Sequence, residues 1–329
     1  MIATNNGGMP WRGTATGAEL ERAREGWRRG GTTLAALRLV EDRATREAIE
    51  AQIESGLGLV TDGLVRREDP TGYLVTHLGG MRPGEVRPGF PGDGGPYTVP
   101  VVESEVSFGA PILLEDFLFA REGTTAPVKI VLTGPYTLAK LADDGAYGDP
   151  LMLAMALAAA LNQEIRALQS AGAPFIQINE PSLLDQQDEF PLFTRIWEVL
   201  GRGISTALGL HLPGAAADGL YPGIARLKRL ACLSLDCVAG RATIDLLRSV
   251  PPPPELRISL GVVDGSLAGV DTTEAVVSRV GPLEGLPPHD RLLLGTAADL
   301  DRLPADTARA RLRALAGAAR RLGGDAPDA

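Results

Sequence analysis

Short apolar runs alternate along the chain with longer segments in which apolar positions recur at helical spacing. Two of the runs, Val128–Leu132 and Pro174–Ile178, stop at polar or turn-forming residues, and between them Pro150–Ser170 keeps helical spacing with no glycine or proline after its first residue. This strand, helix, strand unit directs Thr133, Tyr136, Thr137, Asn179 and Glu180 to one face. Further strands are expected at Ile2–Thr4, Leu57–Thr61, Ile204–Leu210, Cys232–Leu235, Glu255–Val262 and Arg291–Leu294. Helices are expected at Ala18–Arg29, Thr33–Gln52, Pro111–Ala120, Asp188–Leu200, Ala215–Leu230, Thr243–Val250, Thr272–Val280 and Thr307–Leu322. Pro222-Gly223 is positioned to kink or divide the helix at Ala215–Leu230, and the prolines at 251–254 stop the next one.

Eight strand candidates, joined by segments long enough to hold helices, predict an α/β fold: one closed (β/α)8 TIM barrel over residues 1–329. A doubly wound open sheet competes with it. That alternative is weaker because no Gly-x-Gly-x-x-Gly follows the first strand and the Gly pairs at 7–8 and 30–31 lack its spacing. The Pro/Gly-rich stretch at about 79–100 reads as a long loop, either a cover for a site or a surface excursion, and the tail at 323–329 as frayed.

Composition narrows the partners. With Asp and Glu outnumbering Lys and Arg by 41 to 32 and no basic stripe, a nucleic-acid surface is not expected. The N-terminus lacks a basic region followed by an apolar run, and no segment has the character of a membrane span, so a cytoplasmic protein without membrane contact is the expectation. Cys232 and Cys237 match no zinc-finger spacing and form no disulfide framework. Lys129, Lys140 and Lys228 are the chain's lysines, so a bound anion is expected to meet arginine instead. Homodimerisation is compatible with the sequence.

Polar residues just past the strands converge on one mouth if the barrel closes: Asn5, Asn6, Asp62, Arg66, Thr133, Tyr136, Asn179, Glu180, His211, Asp236, Asp264 and Thr296. Glu180, followed by Pro181, suits a general acid or base or an ammonium contact; the alternative is a helix cap or an ion-paired glutamate. His211 suits proton transfer or metal ligation, against a hydrogen-bonded structural imidazole. Asp236 and Asp264 complete the catalytic candidates, although Asp264 precedes Gly265 and also fits a plain turn. Asn6, Asp62, Arg66, Thr133, Tyr136, Asn179 and Thr296 are the substrate-binding candidates. One of Arg66 and Arg67 is expected to face inward. His77 and His289 have weaker contexts and are left outside.

At these residues the chain resembles the cobalamin-independent methionine synthase family, specifically its C-terminal catalytic barrel and the shorter archaeal-type proteins. The resemblance rests on TNNGGMP at 4–10, LVTDG at 59–63, PVKIVLTGPYTL at 127–138 and GAPFIQINEPSLL at 172–184. It implies a zinc held by His-x-Cys after the fifth strand, a Glu after the sixth and a Cys after the eighth, activating homocysteine sulfur for methyl transfer from a methylated folate. His211 stands at the histidine position, but Pro213 stands at the first cysteine, Asp236 at the glutamate, and Gly295, Thr296 and Ala298 supply no thiolate. Leu64 and Asn179 replace acidic residues of the substrate clamp, and no histidine occurs around Asp264, Gly265 and Ser266. A zinc left with His211 and Asp236 plus water or Thr296 would be weakly held, and a rebuilt site would use Cys237 beside them. No cofactor is therefore expected and zinc is disfavoured. The leading expectation is zinc-independent acid–base or electrostatic catalysis on a small anionic metabolite. The alternatives are methyl or alkyl transfer to a thiol with a rebuilt zinc site, and ligand binding without turnover.

Overall fold

The computed structural model describes all residues except 68, 70, 93, 267–270 and 325–329, so most of the tail expected to fray lies outside the described residues. The strands are β1 (Ile2–Thr4), β2 (Leu78–Arg87), β3 (Tyr97–Phe108), β4 (Lys129–Thr133), β5 (Asp143–Asp144), β6 (Phe175–Asn179), β7 (Ala207–Leu212), β8 (Leu230–Asp236), β9 (Arg257–Val263) and β10 (Leu292–Thr296). The α-helices are α1 (Ala15–Arg28), α2 (Leu34–Glu54), α3 (Gly72–Val75), α4 (Leu114–Glu122), α5 (Pro135–Leu141), α6 (Pro150–Ser170), α7 (Ser182–Asp185), α8 (Phe190–Leu200), α9 (Thr243–Ser249), α10 (Thr273–Val280) and α11 (Ala305–Gly323).

Seven strands form one curled parallel sheet in the order β1-β10-β9-β8-β7-β6-β4. The run expected as the second strand, Leu57–Thr61, makes no ladder. It joins the sheet's two edges through single parallel bridges, Thr4 with Leu59 and Val60 with Val128, and Lys129 N–H donates to the Val60 carbonyl at 2.9 Å.

Period-two alternation sorts the strand residues. Ile130, Leu132, Ile176, Ile178, Leu233 and Leu235 turn outward into one apolar cluster with Leu157, Leu161 and Ile165 of α6 and Leu312 and Leu315 of α11. Lys129, Gln177, Gly209, Ser234 and Ser259 turn to the concave side instead. Gly209 lacks a Cβ because one there would lie 2.8 Å from an edge carbon of the Phe175 ring, which floors that side.

The predicted α6 has the predicted bounds. Asp149 caps it, accepting from Leu151 N–H at 2.8 Å, and Pro150 fills the first turn, where its missing N–H costs nothing. Burying each leucine of its inner face contributes about 1.5–3 kcal/mol.

Two further expectations fail. The stretch at 79–100 is largely an antiparallel hairpin of β2 and β3. Its prolines are tolerated because the ribbon lies outside the main sheet and Pro83 faces Pro100 between two register shifts, where a missing N–H breaks least of the ladder. Tyr97, Val99, Val102 and Val106 bury the inner face of β3. The tip then reaches across to the end of β7: Gly92 and Gly214 both have positive φ, +89° and +97°, and a Cβ on either would overlap neighbouring backbone. The helix expected at Ala215–Leu230 is instead a series of turns with a single 3-10 turn at Ile224–Arg226. Pro222, together with Gly219 and Gly223, removes both the donor and the propensity a helix needs.

Candidate active site

At the carboxyl ends of the parallel strands lies a cavity of about 390 Å³. Its wall at the sheet is a row set by strand register. Thr133 pairs with Asn179, Asn179 with His211, and His211 with Ser234, so Thr133, Asn179 and His211 stand side by side on adjacent strands and all three line the cavity. Trp11, Tyr73 and Phe90 supply an aromatic side, the last of these from the hairpin, while Arg12, Arg67 and Arg302 bring positive charge and Asp69, Asp299 and Asp301 negative charge.

His211 is 1% exposed and its Nδ1 lies 2.9 Å from Ser234 Oγ. Burial, with Lys129 nearby, pushes its pKa down to about 3, so the imidazole is neutral. Asn179 accepts from Gln177 Nε2 at 2.8 Å, and that glutamine also donates to the Asn6 carbonyl at 2.7 Å.

Glu180 is fully buried and is not part of the cavity wall. Its carboxyl accepts from the N–H groups of Tyr136 at 3.1 Å and Thr137 at 2.7 Å, which is the cap alternative realised across strands on the first turn of α5. Gly134 is required there, since a Cβ would overlap the carboxyl. Burial pushes the acid up to about 7 against the hydrogen bonds from Thr137 and Tyr136.

Other expected site residues are also placed elsewhere. Arg66 is held between Asp42 and Asp116 over the Phe119 ring, behind the cavity; Arg67 is the inward one. Arg67 binds both oxygens of Asp62 at 2.7 Å and the Val131 carbonyl at 2.7 Å. Asp62 therefore orients an arginine instead of facing the cavity. Tyr136 turns away to Glu189 (2.9 Å) and stacks edge-on against Phe193. Thr296 accepts from Asn6 N–H and donates to Asn5 Oδ1, closing the β1–β10 seam. Asp236 accepts from Gly214, Val238 and Ala239 N–H groups at 2.8–3.0 Å, and its pKa is raised because burial outweighs those bonds. Asp264 accepts from Ser266 in a plain turn.

A zinc ion does not fit these residues. The carboxyl of Asp236 is committed to three backbone donors, and Cys237 is 1% exposed and directed at the Leu235 carbonyl at 3.6 Å, with burial driving its thiol pKa far upward. Both cysteines are free and buried, and among the described residues no group of three or more His, Cys, Asp or Glu is placed to hold a metal.

Sequence reasoning missed Trp11, Tyr73, Phe90 and Lys129. The aromatic residues come from segments that only tertiary folding brings to the mouth. Lys129 carried a signal, however: one lysine next to the apolar Ile130–Leu132 of the KIVLT strand. It is 1% exposed, with Nζ 2.7 Å from Asn6 Oδ1 and 2.8 Å from Gln177 Oε1. Burial lowers its pKa to about 7.

The similarity to known proteins follows the same geometry. A methionine synthase from Pyrococcus abyssi is 38% identical over 109 residues, which is 33% of this chain and 32% of that protein, so the chain matches only about a third of that relative's length. The methionine synthase of Saccharolobus solfataricus is 29% identical over 239 residues, 72% of this chain and 70% of that protein. Among solved structures, a B12-independent methionine synthase from Shewanella sp. W3-18-1 in complex with selenomethionine superposes with a TM-score of 0.82 over 97% of both chains at 21% identity, a likeness of fold. The model of the catalytic domain of cobalamin-independent synthase matches residues 7–193, and the chain belongs to that family, as a divergent member without its zinc-binding cysteines.

Proposed function

We propose that this protein is a zinc-independent enzyme of the family that takes a small anionic metabolite with an apolar body into the mouth cavity. The observation that carries the reading is the juxtaposition in one cavity of Arg67, the neutral row Thr133–Asn179–His211, and the Trp11, Tyr73 and Phe90 rings. Arginine suits a carboxylate, and the rings suit the remainder of the ligand. Electrostatic stabilisation by His211 and Asn179 fits this wall better than metal activation of a thiol. Asp236 and Glu180 act as positioning groups, the one fixing the β7 and β8 loops and the other fixing α5. In this reading Leu57–Thr61 is the eighth stave of a closed (β/α)8 barrel, the chain forms one cytoplasmic domain, and neither nucleic acid nor a membrane is a partner.

The test is a thermal-shift panel of small carboxylates, their neutral amides, and homocysteine with and without zinc. Aromatic carboxylates should raise Tm in the wild type and not in Arg67→Met. A ligand at about 100 times its Kd adds about 2.7 kcal/mol to stability. Both variants should lower the basal Tm, since each removes the arginine of a buried pair at a cost of about 3–5 kcal/mol, but Arg66→Met should leave the ligand response intact. A response confined to homocysteine plus zinc would sink the proposal.

A further inference from the structure

The concave face holds a polar group deeper than the cavity itself. Lys129 Nζ, a donor in either protonation state toward two acceptors, lies 2.7 Å from Asn6 Oδ1 and 2.8 Å from Gln177 Oε1. Those contacts fix which end of each amide is oxygen, so both NH₂ groups must point onward. Asn6 Nδ2 donates to Ser234 Oγ at 3.0 Å and to the Thr296 carbonyl at 2.8 Å. Gln177 Nε2 donates to Asn179 Oδ1 at 2.8 Å. Each arm then reaches the cavity wall. Asn179, accepting a hydrogen bond at its oxygen, presents its amide nitrogen. Ser234 Oγ accepts from Asn6 with one lone pair and is 2.9 Å from His211 Nδ1, a distance at which its own proton can be donated to that nitrogen; this direction places the ring hydrogen on Nε2.

We infer that Lys129 is a positioning residue that polarises two hydrogen-bond relays, Gln177 to Asn179 and Asn6 through Ser234 to His211, so that the wall presents two adjacent N–H donors as a notch for a carboxylate or carbonyl oxygen. The two residues are register partners on β6 and β7, so their donors stand on neighbouring strands at the same height. The notch carries no formal charge of its own. It therefore recognises an oxygen by direction, with Arg67 on the same cavity wall supplying the charge. This inference rests on the anionic-ligand reading for the identity of the oxygen, but not for the direction of the relays.

Nitrogen-15 NMR of histidine-labelled protein separates the two. The chain has 3 histidines, so assignment by a His211→Asn variant is direct. Unliganded wild type should show His211 Nε2 protonated and Nδ1 unprotonated, unchanged between about pH 5 and 8 given the cause of its neutrality, which is burial. Lys129→Met and Ser234→Ala should each shift His211 toward the other tautomer or a mixture. A wild-type Nδ1–H tautomer overturns the relay without any variant having to fold, and so does an unaltered tautomer in a folded Lys129→Met. Benzoate is the probe for the notch. It should move the His211 Nε2 and Asn179 side-chain amide resonances, while benzylamine leaves them in place. If benzoate moves neither, or benzylamine moves them instead, the oxygen notch is wrong, and the tautomer result still stands or falls by itself.

Discussion

His211 shows how one residue's surroundings decide its chemistry. Sequence position made it equally suited to bind metal, to shuttle a proton or to stay structural. Burial settles the charge state, and the hydroxyl of Ser234 occupies one nitrogen. Its folded-state pKa of about 3 lies below the ordinary value of 6.5, so between those values the unfolded chain binds more protons than the folded one. His211 therefore takes away stability as pH falls from 6.5 toward 3 and is neutral in its effect above 6.5. The slope approaches about 1.4 kcal/mol per pH unit. Comparing urea unfolding of wild type and His211→Asn should show a stability difference that moves against the wild type across that acidic window and is constant from pH 7 to 8. A parallel pair of curves throughout would show that the imidazole is not held neutral. The residue was legible because it follows an apolar run, but Lys129, which sets its polarity, was not singled out, since a lysine at the start of a strand ordinarily reaches solvent.

At the scale of elements, the most legible piece was α6, where a capping aspartate, a first-turn proline and an uninterrupted apolar face agree. Local agreement of that kind leaves little for tertiary structure to override. The hairpin at 79–100 was misread for the opposite reason: its prolines argue against a central strand, and only the pairing of Pro83 with Pro100 reveals a ribbon that does not need their N–H groups. Glu180 lies between these cases. Its Asn-Glu-Pro context marked it out, while its function as a cap for α5 depends on two strands lying side by side, which no local pattern encodes. Glu180→Ala should cost about 1–3 kcal/mol by leaving the Tyr136 and Thr137 N–H groups without a partner, and Glu180→Gln somewhat less. Both should leave benzoate affinity nearly unchanged, because the carboxyl does not line the cavity. The pH dependence has the reverse sign to that of His211. With the folded pKa raised to about 7 from 4.5, the contribution is full below 4.5 and is lost as pH rises through 7. Chemical denaturation across that range checks both statements; a collapse of affinity at intact stability would return Glu180 to the chemistry.

Over the whole molecule, the seven strands of the parallel sheet and most of the helices on its outer face were readable from alternation, while the hairpin and the turns at 215–230 were not. What the sequence concealed was the concave side, where Lys129, Gln177, Asn6 and Ser234 meet from four strand regions far apart in the chain. It also concealed the way the hairpin is laid over the mouth. Phe90 lines the cavity, and the tip rests on Pro213 and Gly214, at the place where the family resemblance puts a metal-binding thiolate. That contact is made between glycine backbones at positive φ, so it tolerates no side chain on either partner. The consequence is one of timing. We expect a ligand in the cavity to enter and leave past Phe90, so that association and dissociation both depend on the Gly92–Gly214 contact. Gly214→Ala should loosen this contact and accelerate both rates by a similar factor in stopped-flow recordings of benzoate binding, leaving their ratio, and hence the affinity, close to its original value. Acceleration of dissociation alone would mean that the tip grips the ligand and does not merely delay it.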